Sequence, residues 1–345
     1  MASGVHTFQL TPDWALIQAI SALDRFDASW TAIEKREGNS LKQLKSIATV
    51  RSVGASTRIE GSIMSDEEVK VLIENLNISK IEDRDSQEVA GYFEVLDLIS
   101  VSYADIPVTE SAIKSLHNIL MKYSQKDSWH KGNFKQHINA VEATRPDGSK
   151  QTIFETTPAG FKTEEAMRLL IQWWDEDNQT HSLVKCALFC YDFLSIHPFQ
   201  DGNGRLSRLL ATLLLLKNGY TWIQYVSFEH EIENRKAEYY KELMQSQKQR
   251  PGENIYNWLM FFLDCLNKIS QQLLNKLSTR GTITSLGPKE KIVYLFIENH
   301  PGSRSGEVAE KLNLGLPLVK KILTGLVKGR LIVKHGAGAG TNYTL

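Results

Sequence analysis

Apolar side chains recur at three- and four-residue spacing through the first hundred residues, and no alternating pattern competes with them there. The spacing predicts helices. The first is expected to begin where Thr11 can cap, Pro12 can take the first helical position, and Trp14, Ile17, Ile20, Leu23 and Phe26 share a face. Ser65 followed by Glu68 is a capping box for a helix over Asp66 to Asn75, and Val89, Tyr92, Phe93, Val95 and Leu96 mark another over Asp85 to Ser100. The stretch RSVGASTRIEGS, Arg51 to Ser62, lies ahead of these. Helical texture returns at Thr109 and breaks at Gly132, where Phe134 to Val141, a Pro146-Asp147-Gly148 turn and Gln151 to Glu155 read as a β-hairpin. From Thr163 the pattern is helical again. Leu183 to Ile196 is apolar on nearly every side, and Arg205 to Asn218 is similar, which predicts two helices at the centre of a bundle.

Beyond a helix over Trp258 to Leu277 the residues turn small and polar, Ser278 to Ser285, ahead of Gly287-Pro288, which is the composition of an interdomain linker. The last sixty residues then read as helices over Lys289 to Asn299, Ser305 to Lys311 and Pro317 to about Lys328. Leu331 to Lys334, a Gly336 to Gly340 loop and Asn342 to Leu345 follow. Three helices and a small hairpin in that order describe a winged helix-turn-helix. The expected organisation is a mainly α chain with an N-terminal helical region (1–104), a helical core carrying the hairpin (105–277), a linker (278–285) and a terminal unit (286–345).

Composition narrows the class. With 345 residues, 42% hydrophobic and 23% charged, the chain resembles an ordinary globular protein with room for a sizeable core. Forty basic residues against forty acidic ones exclude a generally basic nucleic-acid coat. The longest apolar run, around Leu213 to Leu216, is too short to span a membrane, and the start MASGVHTFQL has neither a basic n-region nor an apolar h-region. A cytoplasmic protein without membrane contact is expected. Cys186, Cys190 and Cys265 are odd in number and sit in apolar runs, so they are expected as buried thiols. No CxxC or HxxxH pair completes a metal site with Cys186 and Cys190.

The candidate chemistry lies between the two buried helices, in His197-Pro198-Phe199-Gln200-Asp201-Gly202-Asn203-Gly204-Arg205-Leu206-Ser207-Arg208. Pro198 ends the first helix and leaves His197 as a base near neutral pH. Gly202 and Gly204 permit a nest of inward amides at the next helix N-terminus, a ready site for phosphate. Arg205 and Arg208 lie on the first turns of that helix, where the macrodipole disfavours cations unless an anion compensates. Asp201 beside them can serve as an oxygen ligand to a phosphate-bound Mg²⁺.

HPFQDGNGRLSR resembles the signature HPFx(D/E)GNGRxxR of the Fic family at every fixed position. The resemblance implies a helical core and transfer of AMP from ATP to a protein hydroxyl, with His197 as the base. By carry-over, Asp201 holds Mg²⁺ between the α- and β-phosphates. Gly202, Asn203 and Gly204 bind anionic oxygens through their amides, and Arg205 and Arg208 take the β/γ end. A branch that transfers the γ-phosphoryl group carries Lys where this chain has Gly204, which disfavours kinase activity. The hairpin 134–155 resembles the family's flap, on which a target segment docks as an added strand. Ile232, Asn234, Arg235, Tyr239 and Tyr240 resemble the adenine-side segment, although an Asn of some relatives is replaced, with Gln247 as the nearest substitute. Ser56-Thr57-Arg58-Ile59-Glu60-Gly61 resembles the inhibitory motif (S/T)xxxE(G/N), which implies that Glu60 pairs with Arg208 and blocks the γ-phosphate position.

From Leu286 to Leu345 there are nine basic residues against four acidic ones, a net of +5. The third helix offers Lys320, Lys321 and Thr324 but no Arg, Asn or Gln for reading bases. Duplex DNA, protein docking and homodimerisation therefore stand level as its use. Two function classes remain open: a self-inhibited AMP transferase able also to modify itself or remove AMP, and a DNA-binding regulator whose core senses nucleotide without turnover. His197 favours the enzyme, because a sensor needs no base there.

Overall fold

The computed structural model describes residues 8, 10–76, 81–124, 126, 128–144, 150–329 and 331–344. The chain divides into two compact units, 1–271 and 272–345.

In the first unit α1 (Trp14–Ile59) is capped by Asp13, whose Oδ1 accepts from Leu16 N at 2.8 Å. The cap is therefore two residues later than Thr11, and Pro12 lies outside the helix. The buried stripe shifts with it. Leu16, Leu23, Phe26 and Trp30 face the core, while Trp14 (79%) and Ile17 (48%) are exposed. Gly38 takes φ 21°, which breaks the helical geometry inside α1. Arg51 to Ile59 are the last turns of this helix, with Val53, Ala55, Ser56 and Thr57 buried.

α2 (Asp66–Glu74) carries the expected Ser65/Glu68 capping box, and α3 (Arg84–Ser102) and α4 (Glu110–Leu120) start at the caps Asp83 and Thr109. Gly91 brings α3 against α4 backbone to backbone, since a Cβ there would lie 2.0 Å from Leu120 O. Gly91→Ala is expected to cost about 2–3 kcal/mol, read as a lowered Tm in a thermal melt, because only backbone movement can relieve the overlap.

β1 (Ala140–Thr144) and β2 (Lys150–Glu155) pair antiparallel, Ala140 opposite Glu155 and Thr144 opposite Lys150, with a register shift between Val141 and Glu142. The turn at Pro146 to Gly148 lies outside the described residues. The first strand begins at Ala140 and not at Phe134, because the intervening backbone is committed elsewhere: Lys135 N–H donates to Pro198 O at 2.8 Å.

α5 (Phe161–Glu176) leads to α6 (Ser182–Ile196) and α7 (Asn203–Lys217), which are buried along almost their whole length and pack against each other. α8 (Phe228–Asn234) packs on α1, and α9 (Lys236–Gln247) and α10 (Tyr256–Ser285) follow. Cys186, Cys190 and Cys265 are free and buried, and burial pushes the Cys190 thiol up to about 12.

The second unit shows no loop at 278–285. Those residues are the end of α10, since extending a helix that is already nucleated costs little even for Ser and Thr, and the break comes at Gly287. α11 (Pro288–Asn299), α12 (Ser305–Lys311) and α13 (Leu316–Lys328) enclose a core of Val293, Ile297, Val308, Val319 and Leu323. β3 (Val333–His335) pairs antiparallel with β4 (Asn342–Thr344), and the buried Leu331 and Ile332 precede β3 instead of belonging to it. Among the described residues no helix is long and apolar enough to cross a membrane.

Candidate functional site

Six residues join α6 to α7, and side chains from two other segments, His117 and Asn139, bind their backbone. His197 ends α6 in the left-handed region, φ 53° and ψ 60°, and its N–H still bonds Phe193 O at 2.9 Å. Its Nδ1 lies 3.4 Å from Leu194 O. A carbonyl can only accept, so Nδ1 carries the proton and Nε2 keeps the lone pair. Burial, reinforced by the Lys135 charge, pushes the imidazole down to about 4 against the opposing pull of Glu60 and Asp201. His197 is therefore a neutral base throughout the neutral range.

Asn203 closes the loop on itself, its Oδ1 accepting from Phe199 N at 2.9 Å and its Nδ2 donating to Phe199 O at 2.8 Å. His117 on α4 stacks on the Phe199 ring with centroids 3.8 Å apart. Its Nδ1 accepts from Gly132 N at 3.0 Å, so Nε2 is the protonated nitrogen and donates to Asp201 O at 3.0 Å. Burial holds His117 down to about 4, which keeps that tautomer neutral.

Gly202 caps α7 with φ 80°. Its amide, expected to face an anionic oxygen, donates here to Asp201 Oδ1 at 2.6 Å. Asp201 sits below the usual carboxylate range, because Arg205 and the Gly202 amide outweigh the upward push of burial. Its side chain remains about half exposed. One ionised, open carboxylate suits Mg²⁺, which binds through one or two carboxylates plus phosphate oxygens and water. Among the described residues no group of three or more His, Cys, Asp or Glu could hold a metal ion without such help.

The two arginines turn to different partners. Arg205 lies 3.5 Å from Asp201 Oδ1 and 3.3 Å from Glu88 Oε2, and Glu88 also accepts from Arg84 at 2.7 Å. Arg208, 2% exposed, donates from Nε to Ser56 Oγ at 2.8 Å. Its Nη2 donates to Ser56 O at 3.0 Å and to Glu60 Oε1 at 2.7 Å. The Glu60 carboxylate lies over the start of α7: a Cβ on Gly204 would be 2.3 Å from Glu60 Oε1. Glu60 caps the C-terminus of α1, where a negative charge is disfavoured, and Arg208 follows the N-terminus of α7, where a positive one is; each relieves the other. Arg208 outweighs the upward push of burial and keeps the Glu60 carboxyl below its ordinary range.

Arg58 fastens this end of α1. It donates to Glu233 on α8 at 2.6 and 3.0 Å and to Met64 O at 2.9 Å, and lies 3.0 Å from Asp66. Gly54 leaves it the space, since a Cβ there would be 2.6 Å from Arg58 Nη1. Tyr239 is buried against Trp258 and Phe261, and burial pushes its hydroxyl up to about 12 although Arg208 opposes the shift. Tyr240 is half-buried beside it, and the Gln247 amide is spent on Ser195 Oγ at 3.1 Å.

Thus His197, Asp201, Gly204, Arg205 and Arg208 lie beside Ser56 and Glu60, with Glu60 and Arg208 meeting across 148 residues of chain. Residues 107–215 match the Fic/DOC family. Protein adenylyltransferase Fic of Drosophila mojavensis is 25% identical over 206 residues, 58% of this chain and 38% of that protein. The Drosophila willistoni protein of the same name is 27% identical over 206 residues, with the same coverage. The aligned region thus spans well under half the length of these relatives. The crystal structure of a Fic family protein from Desulfovibrio desulfuricans shares the fold with a TM-score of 0.65 at 21% identity, over 99% of this chain and 98% of that one. Fic-1 from C. elegans does so with a TM-score of 0.56 at 17% identity, over 77% and 72%.

Proposed function

We propose that this protein transfers AMP from ATP to a hydroxyl side chain of a target protein, and that Glu60 holds it in a self-inhibited state. The observation that carries the reading is the Glu60 carboxylate seated on Arg208 and above Gly204, the place where a phosphate would compete for the same guanidinium and helix N-terminus. In the active form Nε2 of His197 takes the proton of the acceptor hydroxyl as its oxygen attacks the α-phosphorus. The bond from that phosphorus to the bridging oxygen breaks, and diphosphate leaves with the electron pair. Asp201 would hold Mg²⁺, which supplies charge neutralisation on the phosphates. Arg205 keeps Asp201 ionised, and Arg208 neutralises the far end of the triphosphate once Glu60 withdraws. The distant adenylyltransferase relatives support this class of reaction.

Incubation of the Glu60→Gly form with ATP labelled at the α-phosphate and a host lysate tests the proposal. Label on protein hydroxyls from α-labelled but not γ-labelled ATP is expected, and label from γ-labelled ATP alone would sink it.

The terminal unit we read as a winged helix that touches phosphates. Lys320, Lys321 and Lys328 lie exposed on α13. If these three carry the contact, duplex binding should weaken with a slope of about −3 in log K against log salt, with little sequence preference. No retention of duplex at low salt would assign the unit to protein docking or dimerisation instead.

A further inference from the structure

A single lysine ties the hairpin to the catalytic loop. Lys135 is 1% exposed, and its Nζ donates to Asn139 Oδ1 at 2.9 Å, Thr156 Oγ1 at 2.8 Å and Ile196 O at 3.1 Å. Asn139 immediately precedes β1, Thr156 immediately follows β2, and Ile196 immediately precedes His197. One side chain therefore grips both feet of the hairpin and the carbonyl beside the base. Two further bonds strengthen the joint, from Lys135 N to Pro198 O at 2.8 Å and from Asn139 Nδ2 to Phe199 O at 2.9 Å.

We propose that Lys135 is a positioning residue for the transfer reaction, locking the hairpin that receives the target segment to the loop that carries His197. The inference rests on the AMP-transfer reading of the site. A lysine suits the place because the partners leave only acceptors. The Asn139 amide nitrogen is turned to Phe199 O, and the Thr156 hydroxyl donates to Asn139, so the Nζ meets three oxygens that an ammonium satisfies and a neutral amine does not. Burial pushes Lys135 down to about 7, and these three hydrogen bonds favour the charged form. That charge also acts on His197, which Glu60 and Asp201 face with the opposite sign. Displacing the hairpin by about 1 Å from the base would cost on the order of a hundredfold in rate.

The test uses the full chain carrying Glu60→Gly, with Lys135→Met or Lys135→Arg added. Lys135→Met should lower kcat by about thirtyfold with KM for ATP changed less than about twofold, and Lys135→Arg should recover most of the rate. Amide hydrogen exchange at 139–156 should quicken in Lys135→Met, and the His197 ring titration, followed by NMR, should move up because a neighbouring positive charge is gone. Unchanged kcat and unchanged exchange in Lys135→Met would overturn the proposal. If that variant does not melt cooperatively, Thr156→Val, which removes one acceptor, should show the same changes in smaller measure, and parent-like kcat and exchange there would overturn it equally. Absence of AMP incorporation by Glu60→Gly itself would sink the transfer reading, while exchange and titration still judge the lysine joint.

Discussion

Glu60→Gly is expected to raise AMP incorporation by about a hundredfold while changing ATP affinity by less than about tenfold. The asymmetry follows from where the carboxylate sits. It occupies one arm of Arg208 and the space above Gly204, so the nucleotide loses the partner for the end of its triphosphate but keeps most of its other contacts. What it loses is alignment: a displaced triphosphate turns the α-phosphorus away from the line of attack, and geometry of that kind is worth more in rate than in binding. Arg208→Ala should not be rescued by Glu60→Gly, since the end of the triphosphate then has no guanidinium to meet. Equal incorporation by wild type and Glu60→Gly, with labelled ATP as the donor, would leave Ser56 to Gly61 as an ordinary helix end.

Acidification should not lift the inhibition. Arg208 holds the Glu60 carboxyl below its ordinary range, so the pair's contribution to stability is fully present above the unfolded carboxylate value near 4.5 and fades only as pH falls through the lower folded value. On the proposed reading, release calls for the Glu60 side chain or the α1 terminus to move instead of for protonation. Arg58, bound to Glu233, Met64 O and Asp66, opposes movement of the terminus. A thermal melt from pH 5 to 8 should show no step attributable to this pair.

Much of this was legible in the residues because helix caps, apolar periodicity and charge placement are local. Ser65/Glu68, the buried α6 and α7, and the convergence of His197 to Arg208 between them follow from patterns within about fifteen residues. The choice of Asp13 over Thr11 was not, since both can cap and only the packing of Leu16 and Trp30 decides the phase. Nor was the helical course of 278–285, where weak helix formers are carried by the turns before them. Lys135 and His117 were invisible for a different reason. The bonds that tie them to the loop go to backbone carbonyls 61 and 84 residues away, and a carbonyl leaves no mark in the residue types. Glu88 joins the site through side-chain charges, linking Arg84 to Arg205 and so to Asp201.

His197→Ala should abolish transfer, a loss of about a thousandfold or more, while ATP binding and the melting temperature stay close to the parent. Burial pushes the imidazole down to about 4, which favours the neutral base near pH 7. Its removal takes away the proton acceptor and leaves Asp201, the amides of α7 and both arginines in place. Alanine is less at ease than histidine in the left-handed conformation at 197, φ 53°, at a cost of about 1 kcal/mol. His197→Asn, which tolerates that backbone and cannot act as a base, separates the two effects and should be equally inactive. The pH profile of the active Glu60→Gly form should be flat from about pH 8 to pH 5 and fall below that as His197 takes up a proton. Losing the Glu60 charge moves the fall lower still, because that carboxylate favours the imidazolium. An acid limb centred near 6.5 in a rate measured with labelled ATP would mean that His197 is hydrated and charged in the working enzyme, and that the burial around α6 does not set its chemistry.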